Sequence, residues 1–190
     1  MNIKIIKSTP FGSVGLIWNK INGNPKIIRI LLSRPSLSAE GQISELYPIS
    51  QSSSCTEIDN VGNGISGFLE GEEIIFSLDV ADLSVCTKFQ QLVLRAEHQI
   101  PRGSLSTYRL LAEYLGKRKG ARAVGNALAN NPFPIIVPCH RAIRSDRHLG
   151  GYQGGLEMKR SLLVKEGISF DNAGRVICSK FHYEGAQFTG

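Results

Sequence analysis

SLSTYRLLAEYLGKRKGARAVGNALANN, residues 104–131, decides how the second half of this chain is read. Its Ser and Thr residues can cap a helix, and Leu110, Leu111, Tyr114 and Leu115 recur at the spacing of one helical face. Residues 116–120 make a turn between two glycines, and ARAVGNALA then starts a second short helix that Asn130, Asn131 and Pro132 stop. Two short helices joined in this way are either a plain helical hairpin or a helix-turn-helix. The KRKG directly ahead of the second helix favours the helix-turn-helix.

Working outward, TKFQQLVLRAEHQI (87–100) places Phe89, Leu92, Val93, Ala96 and Ile100 on one helical face and is halted by Pro101 and Gly103. On the other side, PFPIIVPCHRAI (132–143) reads as a buried apolar strand, PIIV, that ends on Cys139, His140 and Arg141. A rigid strand followed by Cys-His is a way to present a thiol to a cleft, where a neighbouring imidazole lowers the thiol pKa from about 8.5. Adjacent side chains on a strand point to opposite faces, so His140 can serve Cys139 only through a turn or a bridging water. A Cys-His pair is also compatible with an inert buried thiol beside a core histidine.

LGGYQGGLEMKRSLLVKEG (149–167) combines four glycines around Tyr152 and Gln153 with an amphipathic helix whose core candidates are Leu156, Leu162 and Leu163. Such a loop lets backbone approach a flat ligand beside an aromatic stacking face. It has neither the Gly-Lys-Ser/Thr of a P-loop nor the glycine spacing of a dinucleotide site. Glu166 falls at the unfavourable, C-terminal end of the helix dipole, which asks for a reason.

The first half reads differently. FGSVGLIW (11–18) and KIIRILLS (26–33) flank a turn-rich NGNP and predict a β-hairpin. Residues 34–56, rich in Ser, Pro and Gln, read as a surface loop. EIDNVGNGISGFLEGE has helical spacing at Ile58, Val61, Ile65, Phe68 and Leu69, weakened by Gly62, Gly64 and Gly67, and EEIIFSLDV (72–80) reads as a strand. The expected organisation is α/β (α+β): an N-terminal domain over 1–82, a second domain over 83–170, and a tail over 171–190.

Charge follows the same division. Residues 1–80 carry six Lys/Arg against eight Asp/Glu, net −2, whereas residues 81–190 carry sixteen against eight, net +8. Residues 88–147 alone hold eleven basic and three acidic side chains, the footprint of a nucleic-acid binder. The 190 residues are 42% hydrophobic and 20% charged, with mean hydropathy −0.06, a folded rather than disordered composition. No apolar run approaches the roughly 18 residues of a membrane span, and the N-terminus does not read as a secretory signal, so an intracellular protein is expected. Cys55, Cys86, Cys139 and Cys178 are scattered without a CxxC pair, which suggests neither a disulfide framework nor a zinc site.

STYRLLAEYLG, ARAVGNALANNPFPIIVPCHRAI and LGGYQGGLEMKRSLLVKEG, in that order and spacing, closely resemble the C-terminal domain of the methylated-DNA:protein-cysteine S-methyltransferases, or O6-alkylguanine-DNA alkyltransferases. The resemblance covers about residues 86–168; the first half shares only TPFG followed by a hairpin. It implies a small ribonuclease-H-like N-terminal domain and a winged helix-turn-helix-like C-terminal domain. It implies repair by one-way transfer of an alkyl group from O6 of guanine to Cys139, with O4 of thymine left open as a second target. Cys139 matches the nucleophile, His140 the residue that activates it through a water, Glu166 the carboxylate that holds His140, and Asn131 the brace of the active-site turn. Tyr108 matches the residue that crowds the target nucleotide's phosphate and donates toward the purine, and Arg122 the finger that fills the vacated stack. Tyr152, Gln153, Ala142 and Pro134 match the walls of the base pocket. Gln153 is a departure, because serine is usual after that tyrosine.

The chemistry agrees with these implications. O6 lies on the pairing edge, so a protein nucleophile must receive the base flipped out of the duplex. Displacement at a saturated carbon needs an in-line thiolate and leaves a thioether, so the protein acts once and needs no methyl-donor cofactor and no metal. The expected partner is double-stranded DNA containing O6-alkylguanine, met by a monomer without a membrane, in the cytoplasm at the nucleoid or in a eukaryotic nucleus. Two rivals remain: a damage sensor of the alkyltransferase-like kind, whose members lack the cysteine present here, and a cysteine hydrolase, for which no oxyanion hole is found.

Overall fold

A computed structural model describes residues 1–186. The chain divides into two compact units, Met1–Val85 with Pro132–Ile136, and Cys86–Asn131 with the chain from Val137 onward.

In unit 1, β1 (Asn2–Ile6), β2 (Val14–Ile21), β3 (Asn24–Leu32) and β4 (Gln51–Ser52) form one sheet in the order β3-β2-β1-β4, antiparallel except for the parallel β1–β4 pair. The β2–β3 hairpin turns through Asn22 and Gly23, both at positive φ, the conformation a tight two-residue hairpin turn requires. Alternation along the strands separates two faces. Ile3, Ile17 and Leu31 pack with Ala39 and Ile43 of α1 (Ala39–Leu46). The opposite face of β1 meets α2 (Thr56–Glu70), where Gly62 lies against Lys4 and Ile6, a close approach that a larger side chain would crowd. The helical spacing of α2 therefore prevails over its three glycines, which admit neighbours.

The sequence expectations fail in two places here. Within 34–56, read as loop, α1 and β4 form; Ser38 caps α1 by accepting from Gly41 N, and Ala39, Gln42 and Ile43 bury its inner face. Residues 72–80 are not a strand: they run irregularly into a 3-10 turn at Leu78–Val80, with Ile75 88% exposed. Ile74 and Phe76 instead lie against Gly64 of α2, so their alternation reflects helix contact and not a sheet face.

In unit 2, α3 (Lys88–His98) packs on α4 (Tyr108–Tyr114) and α5 (Ala121–Ala129). Thr107 caps α4 by accepting from Leu110 N at 3.1 Å. Ser106–Thr107 (β5) pairs in parallel with Ala142–Ile143 (β6), with Ser106 opposite Ala142. That register fixes Tyr108, just after β5, relative to Cys139, just before β6. α6 (Leu156–Lys165) buries Met158, Lys159, Leu162 and Leu163, while Leu156, expected in the core, is 55% exposed.

Beyond residue 168 the chain returns to unit 2. β7 (Ser169–Phe170) and β8 (Val176–Ile177) pair, and Val176 joins Leu105, Ile143 and Leu163 in a core cluster. His182 N donates to Leu105 O at 2.7 Å, and Tyr183 stacks on Tyr114 at 3.9 Å between ring centroids. Among the described residues no helix is long and apolar enough to cross a membrane.

Candidate active site

The segment leading to Cys139 is a turn, where the sequence suggested a strand. Pro132, Pro134 and Pro138 cannot donate to a ladder, and Ile135 adopts φ +76, a costly left-handed conformation for a β-branched residue. Asn131 Nδ2 donates to Val137 O at 3.1 Å, and Cys139 N donates to the same carbonyl at 2.8 Å. Cys139–Arg141 then form one 3-10 turn, which removes the opposed-face problem of an extended Cys-His pair.

Cys139 is 5% exposed and lines a cavity of about 330 Å³ with Tyr108, Gly125, Leu128, Arg144, Gly150 and Tyr152. The Tyr108 ring passes between Gly125 of α5 and Gly150, whose positive φ and contact with the Tyr108 hydroxyl both require glycine. The Tyr152 ring stands edge-on to His140 at 6.2 Å.

Behind the cavity, His140 Nε2 lies 3.0 Å from Glu166 Oε1. Arg141 grips the same carboxylate through Nε and Nη2 at 2.9 and 2.7 Å, and its Nη1 donates to Ile100 O at 2.6 Å. Burial pushes the Glu166 carboxyl up, but the bonds from His140 and then Arg141 outweigh it and hold the group near 2. An ionised Glu166 can only accept, so His140 Nε2 carries the proton and Nδ1 is left with a lone pair. Burial lowers the His140 pKa against the opposing pull of Glu166, so the ring is neutral. Burial also pushes the Cys139 thiol up to about 11, against the hydrogen bond from Asn131. The resting group is a thiol, contrary to the lowered pKa that its histidine neighbour suggests, because desolvation exceeds the stabilisation around it.

Sequence reasoning missed three side chains. Arg141 is the second clamp on Glu166. Lys159, fully buried, donates to Ala142 O and Leu149 O at 2.7 Å each, and burial pulls it down to about 8. Glu97, also fully buried, has no side-chain hydrogen-bond partner among the described residues; burial raises it to about 8 against the weaker pull of Lys159, Arg141 and the Ala142 backbone. Both charged residues sit on apolar helical stripes, Val93-Glu97-Ile100 and Lys159-Leu162-Leu163, which was the available signal.

Of the other site candidates, Arg122 is exposed in the first turn of α5, and Ala142 is buried in β6. Gln153 points its amide at α5, and Pro134 lies in the segment that belongs to unit 1. Among the described residues no group of three or more His, Cys, Asp or Glu could hold a metal.

Residues 88–168 match the model of the 6-O-methylguanine DNA methyltransferase, DNA binding domain. That segment, with Cys139 and Glu166 inside it, is therefore similar to the DNA-binding domain of the 6-O-methylguanine DNA methyltransferases. A curated relative of that name from Methanothermobacter thermautotrophicus is 46% identical over 109 residues, 57% of this chain and 61% of the relative. Another from Haemophilus influenzae is 48% identical over 88 residues, 46% of this chain and 49% of the relative. The matches thus span about half to three-fifths of these relatives. In structure the chain resembles Mycobacterium tuberculosis OGT in complex with DNA, with TM-score 0.69 and 28% identity over 88% of this chain and 93% of that one. The mixed α+β fold of this chain is thus shared with that solved structure.

Proposed function

We propose that this protein repairs DNA by moving an alkyl group from O6 of guanine irreversibly onto Cys139. The observation that carries the reading is a buried thiol opening into a cavity walled by two tyrosines and backed by a His140–Glu166 pair. The cavity lets a flat base lie between Tyr108 and Tyr152, and a base reaches it by leaving the duplex. Arg122, exposed at the start of α5, is placed to take the vacated position in the stack.

His140 Nδ1 takes the thiol proton through a water, and the resulting sulfur displaces the purine oxygen at the alkyl carbon. The Sγ–C bond forms as the C–O6 bond breaks, its electron pair goes to the purine, and the proton lost by the thiol ends on the released guanine. The Tyr108 hydroxyl supports that proton delivery, and Asn131 keeps the turn that aims Sγ. A thiol that stays protonated until a base arrives avoids side reactions, since the thiolate is the reactive form. The product thioether cannot be hydrolysed here, so each molecule acts once.

In this reading residues 83–170 form the alkyltransferase domain and residues 1–82 a separate domain, while the expected tail over 171–190 packs on the alkyltransferase domain as far as residue 186, the rest lying outside the described residues. The site of action is wherever chromosomal DNA is held, the cytoplasmic nucleoid or a nucleus. Intact mass after incubation with a short O6-methylguanine duplex tests the proposal: a permanent gain of one methyl on Cys139 supports it, and an unchanged mass overturns it. Arg122→Ala is expected to slow reaction on the duplex far more than on free benzylguanine, which needs no wedge; equal losses would remove Arg122 from that role.

A further inference from the structure

We propose that the Gln153 side chain is a positioning residue, a latch that fastens the glycine-rich lip of the cavity to the C-terminal end of α5 before any base enters. Its Nε2 donates to Ala129 O at 3.1 Å and to Asn131 O at 2.7 Å, which uses both amide protons. Ala129 is the last residue of α5, and helix C-terminal carbonyls have no partner within their own helix. The latch therefore gives a partner to the carbonyl of the exposed Ala129 and to that of the buried Asn131.

What the latch holds is intrinsically loose. Residues 149–155 contain four glycines, and Gly150 and Gly155 both adopt positive φ, so the free lip has more conformations to lose than an ordinary loop. Lys159 pins one end, at Leu149 O, and Gln153 pins the other. The second pin leads on to the nucleophile. Asn131, whose backbone accepts from Gln153, donates its side chain to Val137 O, the same carbonyl that receives Cys139 N. Lip, α5 and Cys139 turn are thus joined by consecutive hydrogen bonds. A serine at this position has no amide and is too short to span the gap, so the latch belongs to this chain's departure from the usual residue.

The role of the latch in setting the pocket rests on reading the cavity as a base site, whereas its mechanical effect does not. Gln153→Glu preserves shape but replaces both donors with a carboxylate facing two carbonyls, and Gln153→Asn keeps the amide one methylene short. In the free protein, Gln153→Glu should speed hydrogen exchange of the 149–155 amides roughly tenfold, the scale of the lost bonds, and leave α3 unchanged. In single-turnover reaction with free benzylguanine it should raise the half-saturating concentration more than it lowers the limiting rate, with Gln153→Asn intermediate on both measurements. Unchanged exchange in the Glu variant would overturn the latch. Faster exchange with unaltered saturation would overturn its role in forming the pocket. Faster exchange in a protein whose wild type never reacts with benzylguanine would leave the latch standing and count against the base site instead.

Discussion

Unit 1 buries two polar side chains, Ser13 and Gln42, both neutral, whereas unit 2 buries the ionisable Glu97, His140, Arg141, Lys159 and Glu166 around Cys139. The first core is what alternation and helical periodicity produce: apolar faces of a sheet closed by two helices. The second takes ionisable groups out of water, which costs several kcal/mol per ion unless each is well paired. Only some are: Glu166 receives His140 and a two-pronged Arg141, Lys159 has carbonyls, and Glu97 has no side-chain hydrogen-bond partner among the described residues. Stability alone would favour apolar residues at such positions. Under the proposed function, their presence beside Cys139 serves reactivity at the expense of stability.

That contrast can be broken at its sharpest point first. Cys139→Ser should abolish the mass gain on alkylated duplex while leaving DNA binding and the thermal midpoint close to wild type; transfer at a comparable rate would remove Cys139 from the chemistry. Glu166→Gln should slow transfer and, by leaving Arg141 buried opposite an amide, cost about 3–5 kcal/mol in urea unfolding. The wild type should also show the pH signature of a depressed carboxyl. The Glu166 contribution is complete above its unfolded value of 4.5 and is lost as pH falls toward about 2. A Gln variant whose stability parallels wild type through that window would contradict it.

Ile17→Ala, in the apolar core of unit 1, should cost about 2–5 kcal/mol with no such pH dependence relative to wild type. A pH-dependent loss there would erase the distinction between the cores. Glu97→Gln comes last because its effect is confined to a slope in pH. A carboxyl raised to about 8 destabilises the fold progressively as pH climbs from 4.5 through 8, so the variant should lose that decline over the same interval. Superimposable stability–pH curves would mean that Glu97 does not titrate in this range.

Much of this was legible in the sequence because local signals and tertiary packing agree. Asn22-Gly23 located the hairpin, and the stops of α3 to α5 and most of the helical stripes survived folding, with Leu92 and Leu156 the exposed exceptions. Other parts were hidden for identifiable reasons. α1 is eight residues in a Ser-rich stretch, stabilised by its cap and by the sheet it covers. The PIIV run looks like a strand because its residues are apolar, yet the flanking prolines and the φ of Ile135 make it a turn. At the site, Cys139, His140 and Glu166 were visible through motif chemistry and lie together. Lys159 and Glu97 escaped although their places on apolar stripes were the clue, and Arg141 escaped because its partner Glu166 lies 25 residues away in sequence.

The cluster of Glu166, Arg141 and His140 also bears on behaviour in the heat. Hydration of charged groups becomes less favourable as temperature rises, so the penalty for dehydrating them shrinks, while the return per unit of apolar surface levels off. Warming therefore narrows the gap between the two kinds of core, and the unit that carries Cys139 gains relative to the other as conditions become harsher.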